Sequence, residues 1–175
     1  MTTWFTADTH FGHAKLIAPS AADASHGGRS FSSVEEMDET LIENWNALVR
    51  PSDKINVLGD FFVGDYDTLP TLFSRLNGKK RLVIGNHDKF LDYRLLAGFE
   101  KVLFWRKYQD HSLTCTHLPQ HESDFTSKYA LNVHGHIHEQ PDPSSRHLNV
   151  GVDRWCWKPV SLDDIKTIIA LRGLA

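Results

Sequence analysis

Apolar positions recur at helical spacing in one long stretch and fall into short strand-like runs elsewhere. Val34, Met37, Leu41, Trp45 and Leu48 follow one another at spacings of three and four, which puts them on one face of a helix. Ser33-Val34-Glu35-Glu36, just ahead of that stripe, has the form of a capping box, and Pro51 ends the pattern. A second helix is predicted from Ser161, with Ile165, Ile168, Ile169 and Leu171 on its buried side. Shorter helices are predicted near 68–76 and 89–97. Between them lie apolar runs at 3–7, 55–58, 82–84, 102–105, 113–116, 130–133 and 148–150. Their length and β-branched content predict strands. Lys79-Lys80-Arg81 reads as a solvated turn that opens a strand. Strands that first alternate with helices and then follow one another indicate an α/β or mixed-sheet domain.

Composition narrows the class without changing the fold. The 175 residues fit a single domain spanning 1–175. Hydrophobic residues make up 41% and charged residues 23%, as in an ordinary soluble protein. No apolar run has the length of a membrane span, and the first residues lack the basic and apolar regions of a secretory signal. Nineteen basic against 22 acidic residues leave a net charge of −3. The overall basic field of a duplex binder is missing, so long nucleic acid is not the expected partner. The two cysteines, Cys115 and Cys156, have no CxxC spacing. Neither a disulfide scaffold nor a thiolate zinc site is expected, and the expected compartment is a reducing cytoplasm. Eleven histidines point to nitrogen and oxygen ligands for any metal. The stretch 18–33, rich in Ala, Ser and Gly, reads as one long loop.

The chemistry lies where the strands stop. The first predicted strand runs into Asp8-Thr9-His10, the second into Gly59-Asp60, and the third into Gly85-Asn86-His87-Asp88. Two later strands end at His117 and at His134-Gly135-His136-Ile137-His138. Ligands of open α/β sheets bind beyond the carboxyl ends of strands, so five polar clusters can converge on one site. In extended chain, residues two apart point the same way, which lets Asp8 and His10 grip one centre, while His136 and His138 either do likewise or are split between two neighbouring centres. Asp60, Asn86, His117 and those two pairs exceed what one tetrahedral ion takes. They suit two metals about 3.5–4 Å apart. Two dications repel strongly at such a distance, and a carboxylate between them offsets much of that. Their residual positive charge suits a phosphate oxyanion.

The series Asp8-x-His10, Gly59-Asp60, Gly85-Asn86-His87-Asp88, His117 and Gly135-His136-x-His138 resembles the calcineurin-like metallophosphoesterase superfamily, with the motifs in that family's order. The opening Asp-Thr-His-Phe-Gly-His and the later Asn149-Val150-Gly151-Val152-Asp153 resemble small bacterial and phage members of unassigned substrate. The resemblance implies an α/β fold in which two mixed β-sheets pack as a sandwich flanked by helices, the four-layer arrangement of that family. It implies that Asp8, His10 and His138 hold a first metal, that Asn86, His117 and His136 hold a second, and that Asp60 bridges both. His87 matches the family's non-ligand histidine, the general acid. The implied reaction is in-line attack on phosphorus by a metal-bound hydroxide. Two divalent ions are the expected cofactors, Mn first, with Fe, Ni, Co and Zn also suited to such ligands.

The sequence departs from one branch of the family, so a protein Ser/Thr phosphatase is not the expected activity. Its protein phosphatases carry Arg in the second and third motifs, where this chain has Phe61-Phe62-Val63-Gly64 after Asp60 and Ile84 before Gly85. The aspartate that orients the histidine there is replaced by Val63, which leaves Asp65, Asp88 or no residue for that task. His13 and Arg29 are candidate substrate contacts. His134 is expected behind the ligands, and His26, His111, His121 and His147 at the surface. The expected substrate is a small phosphomonoester or phosphodiester, with a nucleotide or cyclic nucleotide leading. The alternatives are a nuclease acting on DNA or RNA ends and, in another class, a non-catalytic metal-binding scaffold for partner proteins.

Overall fold

A computed structural model describes residues 1–17, 28–89, 91–126 and 128–174. Most of the 18–33 loop, with His26, lies outside the described residues.

Two sheets form the frame. The first has the order β4-β3-β2-β1-β9, where β1 is Thr3–Thr6, β2 Lys54–Val57, β3 Lys79–Val83, β4 Lys101–Leu103 and β9 Val160–Ser161. β1 to β4 are parallel, and β9 closes the edge antiparallel to β1. The second sheet has the order β5-β6-β7-β8, from Arg106–Tyr108, Leu113–Cys115, Leu131–His134 and His147–Asn149. β6, β7 and β8 are parallel and β5 is antiparallel. The sheets join at one edge, where Ala7 bridges to Gly151: the Ala7 N–H donates to Val150 and the Ala7 carbonyl accepts from Val152, each at 3.1 Å.

The period-2 alternation of strands sorts side chains into two cores. Ile55, Val57 and Leu82 face the helices α1 (Val34–Leu48), α2 (Leu69–Arg75) and α3 (Tyr93–Ala97), where they meet Met37, Leu41, Trp45, Leu69 and Leu95. Phe5, Ala7 and Leu58 face the second sheet, meeting Leu113, Cys115, Leu131, Val133 and Leu148. The last helix, α4 (Leu162–Leu171), adds Ile165 and Ile169 to this inner core. The outer face of the second sheet is polar yet buried: Thr114, Asn132, His134 and His147 are at most 5% exposed. The loop after β6 covers it. The Gln120 N–H donates to Asn132 Oδ1 at 3.0 Å, and His147 Nε2 contacts the Gln120 carbonyl at 2.8 Å. His147 is therefore an interior residue rather than the surface residue its sequence context predicts.

Both long helices start as their caps predict. The Ser33 hydroxyl accepts from the Glu36 N–H, although the Glu36 carboxylate turns back to Ser32 instead of Ser33. Ser161 and Asp164 complete a reciprocal capping box at α4. Two strands escape the apolar pattern: β5 reads Arg-Lys-Tyr, and β9 has only two residues. Lys79-Lys80-Arg81 is strand, not turn. It pairs with Lys54, Ile55 and Asn56, and the Lys80 stem is buried while its ammonium donates to the Gly78 carbonyl at 3.2 Å. A lysine stem lines apolar surface readily when its charged end finds an acceptor.

Candidate metal centre

Because β1, β2 and β3 are parallel, as are β6 and β7, their carboxyl ends meet along one edge. The chain leaves each strand by a sharp turn. Asp8, His10, Asp60, His136 and His138 all have positive φ, between 49° and 73°. Such values are uncommon outside glycine and cost about 1–3 kcal/mol each. The extended geometry expected for Asp8 and His10 is therefore not how they meet. Each side chain is aimed by a left-handed residue beyond the strand.

Two clusters result. In one, ligand atoms of Asp8, His10 and His138 lie within 4.8 Å of one another; in the other, those of Asp60, His117 and His136 do. Asp60 stands between them: its Oδ2 is 3.6 Å from His10 Nε2 and 3.3 Å from His117 Nε2. Asn86 Oδ1 completes the second cluster, 2.8 Å from His117 Nε2 and 3.0 Å from His136 Nδ1. All seven expected ligands are thus brought together, in the two groups that the resemblance implies.

The donor set fits divalent metal. His10 Nε2 is buried without a hydrogen-bond partner and points toward Asp60, a costly state for a polar atom that an ion relieves. Burial holds His10 far below the usual imidazole range, to about 2, and the nearby Arg29 charge adds to this. A neutral imidazole is the form that binds metal. Burial pushes Asp8 up to about 7 against the attraction of His117 and His138, so without a cation its charge is poorly compensated. At Asp60 burial acts upward too, but the hydrogen bond and charge of His117 prevail and bring it down to about 2. Burial disfavours charge on His117 and His138 as well, yet Asp60 raises the first and Asp153 the second.

Glycines make room for this crowding. A Cβ on Gly59, whose φ is +88°, would sit 2.3 Å from His117 Nδ1. One on Gly135 would lie 2.5 Å from Asp8 Oδ2. The Asp8 carboxylate also accepts from the His136 N–H, at 2.9 and 3.0 Å, which ties the ends of β1 and β7 together.

The supporting contacts explain residues whose roles were open. Asp88 does not orient His87. Its carboxylate accepts the backbone N–H groups of Asp60, Phe61 and Gly85 at 3.0, 2.9 and 2.8 Å, clamping the turns after β2 and β3 to each other. Asp65 caps a short 3-10 turn through the Asp67 N–H. Among the described residues no carboxylate hydrogen-bonds to the His87 ring. That ring is exposed, edge-on to His10 with centroids 5.2 Å apart. Its backbone N–H donates to Asp60 Oδ1 at 2.8 Å. His13 stands at the same mouth, its Nδ1 3.2 Å from His10 Nδ1 and its ring centroid 6.1 Å from that of His87.

Arg29 is not placed to touch substrate. It is 2% exposed and lies behind the first cluster. Its Nε and Nη2 donate to the two oxygens of Asp153, each at 2.9 Å, while Nη1 donates to the Thr9 carbonyl and Nη2 to that of Asp8. Asp153 Oδ2 also meets His138 Nδ1 at 3.2 Å, leaving His138 Nε2 for a metal. The Asn149 side-chain amide donates to the His138 carbonyl at 2.7 Å. Asn149 and Asp153, the ends of the second quoted segment, thus hold one ligand by its backbone and its ring. Only their presence in that segment marked them in the sequence. His134, behind the ligands as expected, is buried with Nδ1 at 2.8 Å from the Gly135 carbonyl.

The chain is 34% identical to an uncharacterized protein of Methanocaldococcus jannaschii, over 95% of this chain and 90% of that one. It is 31% identical to the gene 66 protein of Mycobacterium phage L5, over 95% and 93%. A crystal structure of a protein of unknown function from Aquifex aeolicus superposes with a TM-score of 0.71 at 22% identity, covering 96% of this chain and 99% of that one. Among the described residues no helix is long and apolar enough to cross a membrane. The profile of the calcineurin-like phosphoesterases matches residues 1–171, and with the motifs in place on a two-sheet frame the chain belongs to that family, whose members are generally hydrolases acting on phosphoesters.

Proposed function

We propose that this chain hydrolyses a small phosphomonoester or phosphodiester, with a nucleotide or cyclic nucleotide as the leading substrate. The observation that carries the reading is the pair of three-ligand clusters with the Asp60 carboxylate between them. Asp8, His10 and His138 would hold one divalent ion and Asn86, His117 and His136 the other, with Asp60 available to both. Such a pair supplies Lewis acidity that activates water and neutralises charge on the phosphoryl group. Four imidazoles among seven ligands favour Mn or a comparable ion over Mg. His13 and His87 flank the open side of the clusters. There the His87 ring delivers a proton to the leaving oxygen as the phosphorus–oxygen bond breaks. The presence of every ligand together with His87 favours catalysis over a scaffold role.

The test starts from metal-free protein reconstituted with Mn or Mg and assayed on phosphomonoesters, phosphodiesters and nucleotides. Mn should restore turnover better than Mg. His87→Gln should keep two metals and lose about 10²–10⁴-fold on alkoxide leaving groups, with a smaller loss on nitrophenolate esters. Loss of a metal, or an equal loss on both ester types, would remove His87 from the acid role.

A further inference from the structure

The layer between the two sheets ends in three cations at the edge formed by β4 and β5. Strand alternation decides which side chains face that layer. Val83 and Leu103 pack into the inner core, so Arg81 and Lys101, two residues earlier on β3 and β4, face the same way. Register places them in one row: Phe5 pairs with Asn56, Asn56 with Arg81, and Arg81 with Lys101. From the second sheet, Tyr108 packs on Phe5 and donates its hydroxyl to Asn56 at 2.8 Å. Arg106, two residues before it on β5, also faces inward, paired with the buried Cys115. β4 and β5 are edge strands of their sheets, so the layer opens to solvent here, with the arginines half-buried and Lys101 exposed.

These cations have no counter-charge. Among the described residues the arginine ion pairs are those of Arg29, Arg75, Arg94 and Arg172, and the lysine pair is that of Lys166. The Nε atoms of Arg81 and Arg106 are buried without a hydrogen-bond partner, a costly state for a donor. The Arg106 guanidinium lies over the Tyr108 ring, 4.5 Å from its centroid. That contact uses the face of the group and leaves the N–H fork at its edge for an acceptor. Both charges bear on one hydroxyl: burial pushes Tyr108 up from the usual phenol range, and Arg106 and Arg81 pull it back. Like charges so placed repel unless an anion stands between them. The neighbouring acceptor is occupied, since Asn56 Oδ1 takes the Tyr108 proton while the Asn56 amide donates to the Trp4 carbonyl at 3.1 Å. The edge therefore presents donors and positive charge. A phosphate group brings up to two negative charges and an acceptor on every free oxygen, and it meets guanidinium forks bidentately.

We infer that the edge between β4 and β5 binds a phosphate group, held by the forks of Arg81 and Arg106 and by the Lys101 ammonium. Arg81 sits in the middle of β3, whereas the metal-ligand clusters lie past the carboxyl ends of the strands, so this is a second site and does not depend on the phosphoesterase reading. The phosphate is a free ion or the end of a small ester, and the recognition chemistry is the same for both.

The experiment titrates chelator-treated protein with inorganic phosphate, glycerol phosphate and acetate at constant ionic strength, following the arginine Nε–H signals by NMR. Phosphate strengthens burial in any protein, so a local signal is needed rather than a melting temperature. The Arg81 and Arg106 signals should shift together and saturate, with the singly charged acetate at least about tenfold weaker. Glycerol phosphate binding as tightly as inorganic phosphate would support the site with an ester as its ligand, and binding of inorganic phosphate alone would support it with the free ion. Arg106→Gln should weaken the phosphate-dependent shift of Arg81 by about tenfold or more, and Arg106→Lys, which keeps the charge without the fork, should restore part of it. Lys101→Gln, at an exposed position, should weaken it a few-fold and serves where Arg106→Gln fails to fold. Signals unmoved at tens of millimolar phosphate, acetate binding as tightly as phosphate, or wild-type affinity in the variants would each overturn the inference.

Discussion

Removing the Arg29 guanidinium is the sharpest probe of how the first cluster is held. Arg29→Met keeps an unbranched stem against Met37 and Trp157, which the arginine touches at 3.5 Å and 5.2 Å, and deletes the charge. Asp153, whose side chain is 8% exposed, is then left with a buried negative charge, and the carbonyls of Asp8 and Thr9 lose their donor. Breaking a buried ion pair from one side typically costs about 3–5 kcal/mol, a large part of the roughly 5–15 kcal/mol that holds a domain together. The measurement is urea unfolding followed by tryptophan fluorescence with excess chelator, so that metal loading does not enter. Asp153→Asn alone should cost a comparable amount, because it leaves the guanidinium short of its counter-ion. The double variant should cost less than the sum by about 1.5–3 kcal/mol, since neither partner is then left as an unpaired charge. Additivity within about 0.5 kcal/mol would show that the two side chains are not coupled. An Arg29→Met protein of wild-type stability that merely binds substrate more weakly would return Arg29 to the substrate role the sequence suggests.

Two further outcomes follow from single contacts. Gly135→Ala drives a methyl into Asp8 Oδ2, so calorimetric Mn titration should show the first site weakened far more than the second; equal weakening of both, or none, would refute that assignment. Burial holds the His134 imidazole down to about 4 from its ordinary 6.5, and its Nε2 has no partner. A depressed folded pKa of this kind gives stability that is fully present above about pH 6.5 and is lost as pH falls toward 4, by up to about 1.4 kcal/mol per pH unit. His134→Gln in metal-free protein should therefore flatten the pH dependence of unfolding free energy in that window by one proton, and an unchanged slope would refute it.

The residues of the two clusters were legible in the sequence because the chemistry admits few residue types, and they come just after apolar runs that announce strands. Asp8 and His117 follow such runs directly, and Asp60 and Asn86 follow them after a single glycine. The residues behind them were not legible, because their work is done across long chain separations. Arg29 meets Asp153 from 124 positions away; nothing local distinguishes it from a solvated loop arginine. Asp88 looks like part of the Gly-Asn-His motif, yet its oxygens serve amides on the neighbouring turn. His147 was misread because a polar residue on the outer face of a strand ordinarily meets water, and here the loop through Gln120 covers that face. β5 was missed because Arg106 and Lys107 carry no apolar signal. Its place in the sheet is set by Tyr108, whose ring packs on Phe5 and whose hydroxyl donates to Asn56 at 2.8 Å.

The costs of this site are concentrated where its supports are. Five of its ligands carry positive φ, and the first cluster is the more deeply buried, with Asp8 and His10 at most 1% exposed. Like charges and neutral imidazoles crowded in that way would separate if the turns were free to relax. They are not free, because Arg29 holds the carbonyls of Asp8 and Thr9, Asp88 holds three amides of the adjoining turns, and Asp153 with Asn149 fixes His138. The second cluster is braced differently. His117 is fixed by its Nδ1 at 2.8 Å from the Leu58 carbonyl, but Asn86 is exposed and His136 is partly exposed, and both border open space. Each cluster thus pairs two buried residues with one half-buried histidine, and the exposed Asn86 is added at the second, where it lines a cleft with His117. The supports of the buried side thereby also fix Asp60, whose Oδ2 lies 3.6 Å from His10 Nε2 and 3.3 Å from His117 Nε2.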